Sequence, residues 1–218
     1  MDLTPWLPQQ HTLGLARHLL WALVLGGAVS WLMRRRTRPV RLATLALVVL
    51  WASLPGPLSA SYWLGLAFQL PSLSSAALGL LAMAMALRPV SGLAPGLTTP
   101  ETRALWRALR WLAVGLGWLL LLDLLALLPL ALYPWGFGTP ALALALMVLL
   151  MLVWRFGVLR SAQSTLLLAA ALLLVFVLTR WPSGNLWDAL LDPLLWLGLQ
   201  LQMLLNLRRR GARPEGAL

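Results

Sequence analysis

Apolar runs closed by arginines recur along this chain and leave it few ways to fold. The first, Leu13–Met33, has only Arg17 and His18 as ionisable side chains, and Arg34, Arg35, Arg36, Arg38 and Arg41 follow it at once. As a helix this run is about 31 Å long, enough to cross the hydrocarbon of a bilayer. Backbone polar groups in lipid must be satisfied inside the segment, so helices are expected rather than open strands. The composition agrees: 61% of the 218 residues are hydrophobic and 11% charged, too few charges to solvate a soluble domain. The expectation is an all-α, polytopic transmembrane helix bundle forming a single domain over residues 1–218, since no linker is long enough to divide it.

Arginine clusters next to apolar runs mark cytoplasmic ends. They give about seven spans, at 13–33, 40–54, 72–87, 111–132, 140–154, 164–179 and 186–207, with the N-terminus outside and the C-terminus cytoplasmic. This threading leaves only Arg17 and Arg180, of seventeen arginines, toward the outside. Residues 61–71 are too short to cross alone. They read as an interrupted, interfacial or re-entrant half-helix with Tyr62 and Trp63 at headgroup level, the alternative being one long helix kinked at Pro71. Thr99-Pro100 is a helix start, with the hydroxyl as cap and proline at the first position. Arg103, Arg107 and Arg110 then share one face, suited to anionic headgroups. Most of the thirteen tryptophans read as belt residues, Trp181 and Trp187 among them, whereas Trp196 reads as core packing. Gly115 and Gly117 could allow close helix approach, and no internal repeat is visible.

A net charge of +11 would suggest nucleic acid in a soluble protein, but here the charges flank apolar runs and point to topology and membrane lipids, with no nucleic-acid partner. The absence of lysine hints at a GC-rich bacterial genome, hence a bacterial inner membrane. With no cysteine, and only His11 and His18 as imidazoles, neither a metal site nor a cofactor is expected. Phosphate-binding glycine loops, HExxH pairs and nucleophile elbows are also missing from the sequence.

What polar chemistry remains gathers toward the outer leaflet. On an uninterrupted last span, Asp188, Asp192, Gln202 and Asn206 fall within about 80° of one face. Asp192 would lie roughly 9 Å below the outer end of that span, Asp123 roughly 13 Å below the end of its own, and Arg17 about 6 Å deep. A lone charge at depth costs ~2.5–3.5 kcal/mol on insertion scales, so pairing is expected, of Asp192 with Arg17 or Arg180 and of Asp123 with Arg17 or a tyrosine. Tyr62, Gln69, Tyr133 and Asn185 map to the same side, and the nine residues together form a candidate polar pocket opening outward. Carboxylates four residues apart could share a proton or hold a cation. In the structural reading, Asp188 completes a capping box with Asn185. Asp123 has no local capping role in a helix that continues to Leu132, and His18 reads as a hydrogen-bonding residue.

Three functions are compatible with this pattern. The first is a non-catalytic accessory or assembly subunit of an envelope-related inner-membrane complex, with a membrane-protein partner. The second is a small proton-coupled transporter using the intramembrane aspartates, and the third an outer-leaflet lipid-modifying enzyme with an aspartate base and an arginine holding phosphate. Short loops and the lack of any catalytic signature favour the first.

Overall fold

A computed structural model describes residues 7–8, 10–87, 99–157 and 160–211. Trp6, which the sequence places at an interface, the Pro/Gly-containing loop expected over Pro89–Thr99 up to residue 98, and the chain after Gly211 lie outside these residues. Among the described residues there are nine α-helices and no strand: α1 (Gln10–Leu32), α2 (Arg38–Ser53), α3 (Ala60–Phe68), α4 (Leu73–Leu87), α5 (Pro100–Leu124), α6 (Thr139–Phe156), α7 (Arg160–Thr179), α8 (Leu186–Leu190) and α9 (Pro193–Gly211). Four of them, α1, α5, α6 and α7, carry segments long and apolar enough to cross a membrane, and α4 is a shorter apolar helix of 15 residues. The chain is therefore that of a helical membrane protein.

Two groups of helices build the bundle. In the first, α1 packs against α2, α3 and, most extensively, α4. Its contact with α4 is backbone on backbone: a Cβ at Gly27 would run into Gly79 Cα, and one at Gly79 into the carbonyl oxygen of Leu23. Two glycines thus let the helices touch where any side chain would hold them apart. In the second group, α5 lies against α6, α7 and α9. Here Gly117 makes room for the Trp196 indole, which donates to the Val114 carbonyl at 3.3 Å and stacks edge-on with Trp118. Gly115 faces open space, so only one of the two glycines singled out in the sequence has a packing role. The groups meet through a core of Ala16, Leu20, Leu73, Ala76, Ala141, Leu173, Phe176, Leu186, Trp187 and Ala189.

The segment at 61–71 takes the interrupted form. Ser59 caps α3 by accepting from the Ser61 amide, and Ser59, Ser61 and His18 all donate to the Ala52 carbonyl at 2.7–2.9 Å, tying the start of α3 to the end of α2. His18 is thereby placed as a structural donor. Gln69 breaks α3 with φ 61° and ψ −137°, a conformation side chains rarely adopt, and its carbonyl accepts the Trp21 indole N–H at 3.0 Å. The break therefore lies level with the middle of α1. Ser72 then starts α4 by accepting from the Ser75 amide.

Two helices expected to be continuous are not. The span read to Leu132 stops at Leu124, where Leu127 N–H bonds Leu122 C=O and Ala126 N–H bonds Asp123 C=O, with Ala126 at φ 55°. These two bonds make a Schellman closure, usually built on glycine. Pro129 explains the stop, because it cannot donate to the Leu125 carbonyl and its ring would collide there. The span read from 186 to 207 is divided at Leu191, which is extended (φ −147°, ψ 128°), and Pro193 opens α9. A residue before proline is driven out of the helical region, so Asp192-Pro193 is a helix start. The stripe of Asp188, Asp192, Gln202 and Asn206 on one helix face consequently does not exist.

An L-residue in the left-handed region costs about 1–2 kcal/mol that glycine does not. Ala126→Gly is accordingly expected to raise stability in mixed micelles by about 0.5–1 kcal/mol after the entropy of the unfolded glycine is offset. Ala145→Gly, inside α6, is expected to lose about 1 kcal/mol. Equal losses from both changes would refute the Schellman closure.

Packing also sorts the tryptophans. Trp31, Trp51, Trp63, Trp111, Trp135 and Trp154 are exposed on the bundle surface, as belt residues must be. Trp187 is instead core, buried with its indole N–H on the Leu132 carbonyl at 3.0 Å, and Trp181 donates to Thr12.

Candidate functional site

Tyr133 gathers three of the residues picked out in the sequence. Its amide donates to Asp123 Oδ2 at 2.7 Å, its carbonyl accepts from Asn185 Nδ2 at 3.0 Å, and its hydroxyl donates to Asp188 Oδ2 at 2.9 Å. Each partner is held by the element that carries it. Asp123 stands in the last turn of α5, from which the chain doubles back to Tyr133. Asn185 is the N-cap of α8, its Oδ1 taken by the Trp187 amide at 2.9 Å, and it packs against Gly136, where a Cβ would collide with that oxygen. Asp188 was expected to close a capping box on Asn185, but the Asn185 amide donates to Ser183 Oγ at 3.2 Å and Asp188 accepts from the Ser183 hydroxyl. Burial, together with the hydrogen bond to the adjacent Asp188 carboxylate, pushes the Tyr133 hydroxyl from 10.0 up to about 12. It remains a donor at neutral pH, and the stability it contributes is complete below the ordinary tyrosine value and lost as pH rises through about 12.

Asp192 holds the two interrupted helices together. Its Oδ2 accepts from the Ser72 amide at 2.9 Å, the Ser72 hydroxyl at 2.8 Å and the Ser75 hydroxyl, and its Oδ1 from the Leu195 amide at 2.8 Å. One carboxylate therefore caps α4 and α9 at once, between the positive ends of both helix dipoles. It is only 9% exposed, and Ser72 is fully buried. The ion pair expected with Arg17 or Arg180 is not formed, because backbone and serine donors at two helix ends stabilise the charge instead. Arg17 lies along Gly65 of α3, and Arg180 sits over the Phe176 ring at 5.3 Å.

Between the two interruptions lies a cleft of ≈ 520 Å³. Gln69, Tyr133, Asp188 and Asp192 line it, so four of the nine candidates share one cavity. Asp123 and Asn185 stand behind it, bonded to Tyr133. Tyr62 packs edge-on to Trp63 elsewhere on α3, and with Arg17 and Arg180 it is outside the lining. Trp21, Ser72, Ser75 and Ser183 join the site although none was among the residues expected there. The serines had a signal, since Pro71-Ser72 precedes an apolar run and Pro182-Ser183 precedes a cap asparagine. Trp21 had none, being one more aromatic in an apolar span. Among the described residues no three His, Cys, Asp or Glu side chains are grouped as a metal site requires. Comparison with known proteins finds no family model, no curated protein and no solved structure that matches this chain.

Proposed function

We propose that this chain is a non-catalytic accessory or assembly subunit of an envelope-related complex in a bacterial inner membrane, where it contacts lipid and a membrane-protein partner. The observation that carries this reading is the use to which the carboxylates are put. Asp123, Asp188 and Asp192 all accept from the chain's own amides and hydroxyls, so each fixes a turn or a helix end. In this reading seven helices cross: α1, α2, α4, α5, α6, α7 and α9, in the order expected from the arginines, with the N-terminus outside. Single cysteines at Tyr62, Phe137 and Ser183 are then expected to react with an impermeant external thiol reagent. Protection of all three, while cysteines placed near Arg38 and Arg107 react from outside, would overturn the threading.

A proton-coupled transporter is the runner-up, and it draws on the two interrupted helices. In carriers such helix ends point at bound ions, but here the place of an anion is taken by Asp192 itself. An enzyme holding phosphate would need an arginine beside the aspartates, and Arg17 and Arg180 lie elsewhere. Purification in a mild detergent followed by mass spectrometry tests the subunit reading. A stoichiometric protein partner is expected. A solitary protein that loses substrate flux in Asp192→Asn without losing its fold would replace this reading with transport.

A further inference from the structure

We propose that the cleft between the two helix interruptions binds the ammonium group of a phosphate-free cationic amphiphile, with Asp188 as its counter-ion. The cavity lining combines apolar side chains, Phe68, Leu70, Leu191 and Leu194, with polar ones, among them Tyr133, Ser183 and Asp188. A volume of ≈ 520 Å³ is within the range of small-molecule sites, whose usual form is an apolar wall with a few convergent polar groups.

The sign of charge among the polar lining groups decides the ligand class. Asp192 has its charge offset by four donors at the ends of α4 and α9. Asp188 does not: both of its hydrogen bonds, from Tyr133 and Ser183, fall on Oδ2, and no donor among the described residues reaches Oδ1. That oxygen is an open acceptor on a charged group in a half-apolar cavity, where a carboxylate attracts a cation more strongly than in water. No arginine among the described residues lines the cleft, although the chain carries seventeen. A carboxylate or phosphate ligand would face two carboxylates with no counter-charge. An ammonium places its N–H donors on Asp188 Oδ1 and the Tyr133 oxygen, and its stem on the leucines. An aminophospholipid headgroup fits less well, because its phosphate would follow the ammonium into the same field.

The test uses the full chain in phosphatidylcholine nanodiscs with a decylammonium probe carrying an alkyl diazirine, and adducts located by peptide mass spectrometry. Adducts are expected within residues 67–71 and 191–194, competed by decylammonium but not by decanol or decanoate. Asp188→Asn is expected to cut the competed labelling by about tenfold or more. Leu194→Trp, which enlarges an apolar lining side chain without touching a side-chain hydrogen bond, is expected to do the same and stands if Asp188→Asn does not fold. Equal competition by decanol, or wild-type labelling in Leu194→Trp, would overturn the proposal. So would loss of labelling when phosphatidylethanolamine is added, which would assign the cleft to a lipid headgroup. None of these outcomes depends on a protein partner, so the subunit reading stands or falls separately.

Discussion

Asp192→Ala is expected to lose about 3–5 kcal/mol of stability, the largest effect of any single truncation at the site. The reason is the number of donors it strands. The Ser72 amide and hydroxyl, the Ser75 hydroxyl and the Leu195 amide all end on this carboxylate, and Ser72 has no access to solvent. Alanine leaves them facing one another, and an unsatisfied buried donor costs ~1–3 kcal/mol. Asp192→Asn keeps one acceptor oxygen but turns an NH2 group toward donors, for an expected loss of about 2 kcal/mol. Ser75→Ala removes one donor and leaves the carboxylate three, so its loss is expected to be smaller. Unfolding midpoints in mixed micelles check the order Asp192→Ala, Asp192→Asn, Ser75→Ala. An Asp192→Asn protein as stable as wild type would remove the structural role on which the subunit reading rests.

The second large effect is expected at Gly79. A Cβ there meets the carbonyl oxygen of Leu23, and backbone cannot rotate aside as a side chain can. Gly79→Ala therefore forces α1 and α4 apart, at an expected cost of about 1–3 kcal/mol from overpacking. Helical glycine otherwise stabilises when replaced by alanine, by about 1 kcal/mol. Gly115→Ala supplies that comparison, since Gly115 is helical with nothing near its Cβ position. The two variants are expected to move the unfolding midpoint in opposite directions. Movement in the same direction would show that the α1–α4 crossing does not rest on this contact.

Elements whose deciding forces are local are legible in the chain. Thr99 caps α5 as expected, accepting from the Thr102 amide at 3.2 Å. The interruption before α4 was visible in Pro71. The same rule operates at Asp192-Pro193 and at Pro129, but there the leucines on either side extend the apolar run without a gap and conceal the interruption. Apolarity reports burial in lipid or protein, and it does not report whether the backbone inside a run stays helical. The capping role of Asp192 was therefore written in its neighbour, and the expected polar stripe followed from counting 100° per residue across a proline.

The partners were a different matter. That Asp192 must be stabilised follows from its position among apolar residues, but several donor sets could do it. Arginines at Arg17 and Arg180 were the ones visible by charge, whereas the ones used are two serines and an amide 117–120 residues away in the chain. Only packing brings Ser72 there, and that packing rests on the absence of side chains at Gly27 and Gly79. Likewise nothing local marks Tyr133 as the residue on which Asp123, Asn185 and Asp188 converge. The sequence by itself determined the helical class of this chain, its long apolar helices and the capped start of α5, because apolar composition and cap chemistry act on a residue and its near neighbours. The tertiary structure alone decided which helices touch and which donors meet which carboxylate, because those choices depend on the close approach of segments far apart in sequence.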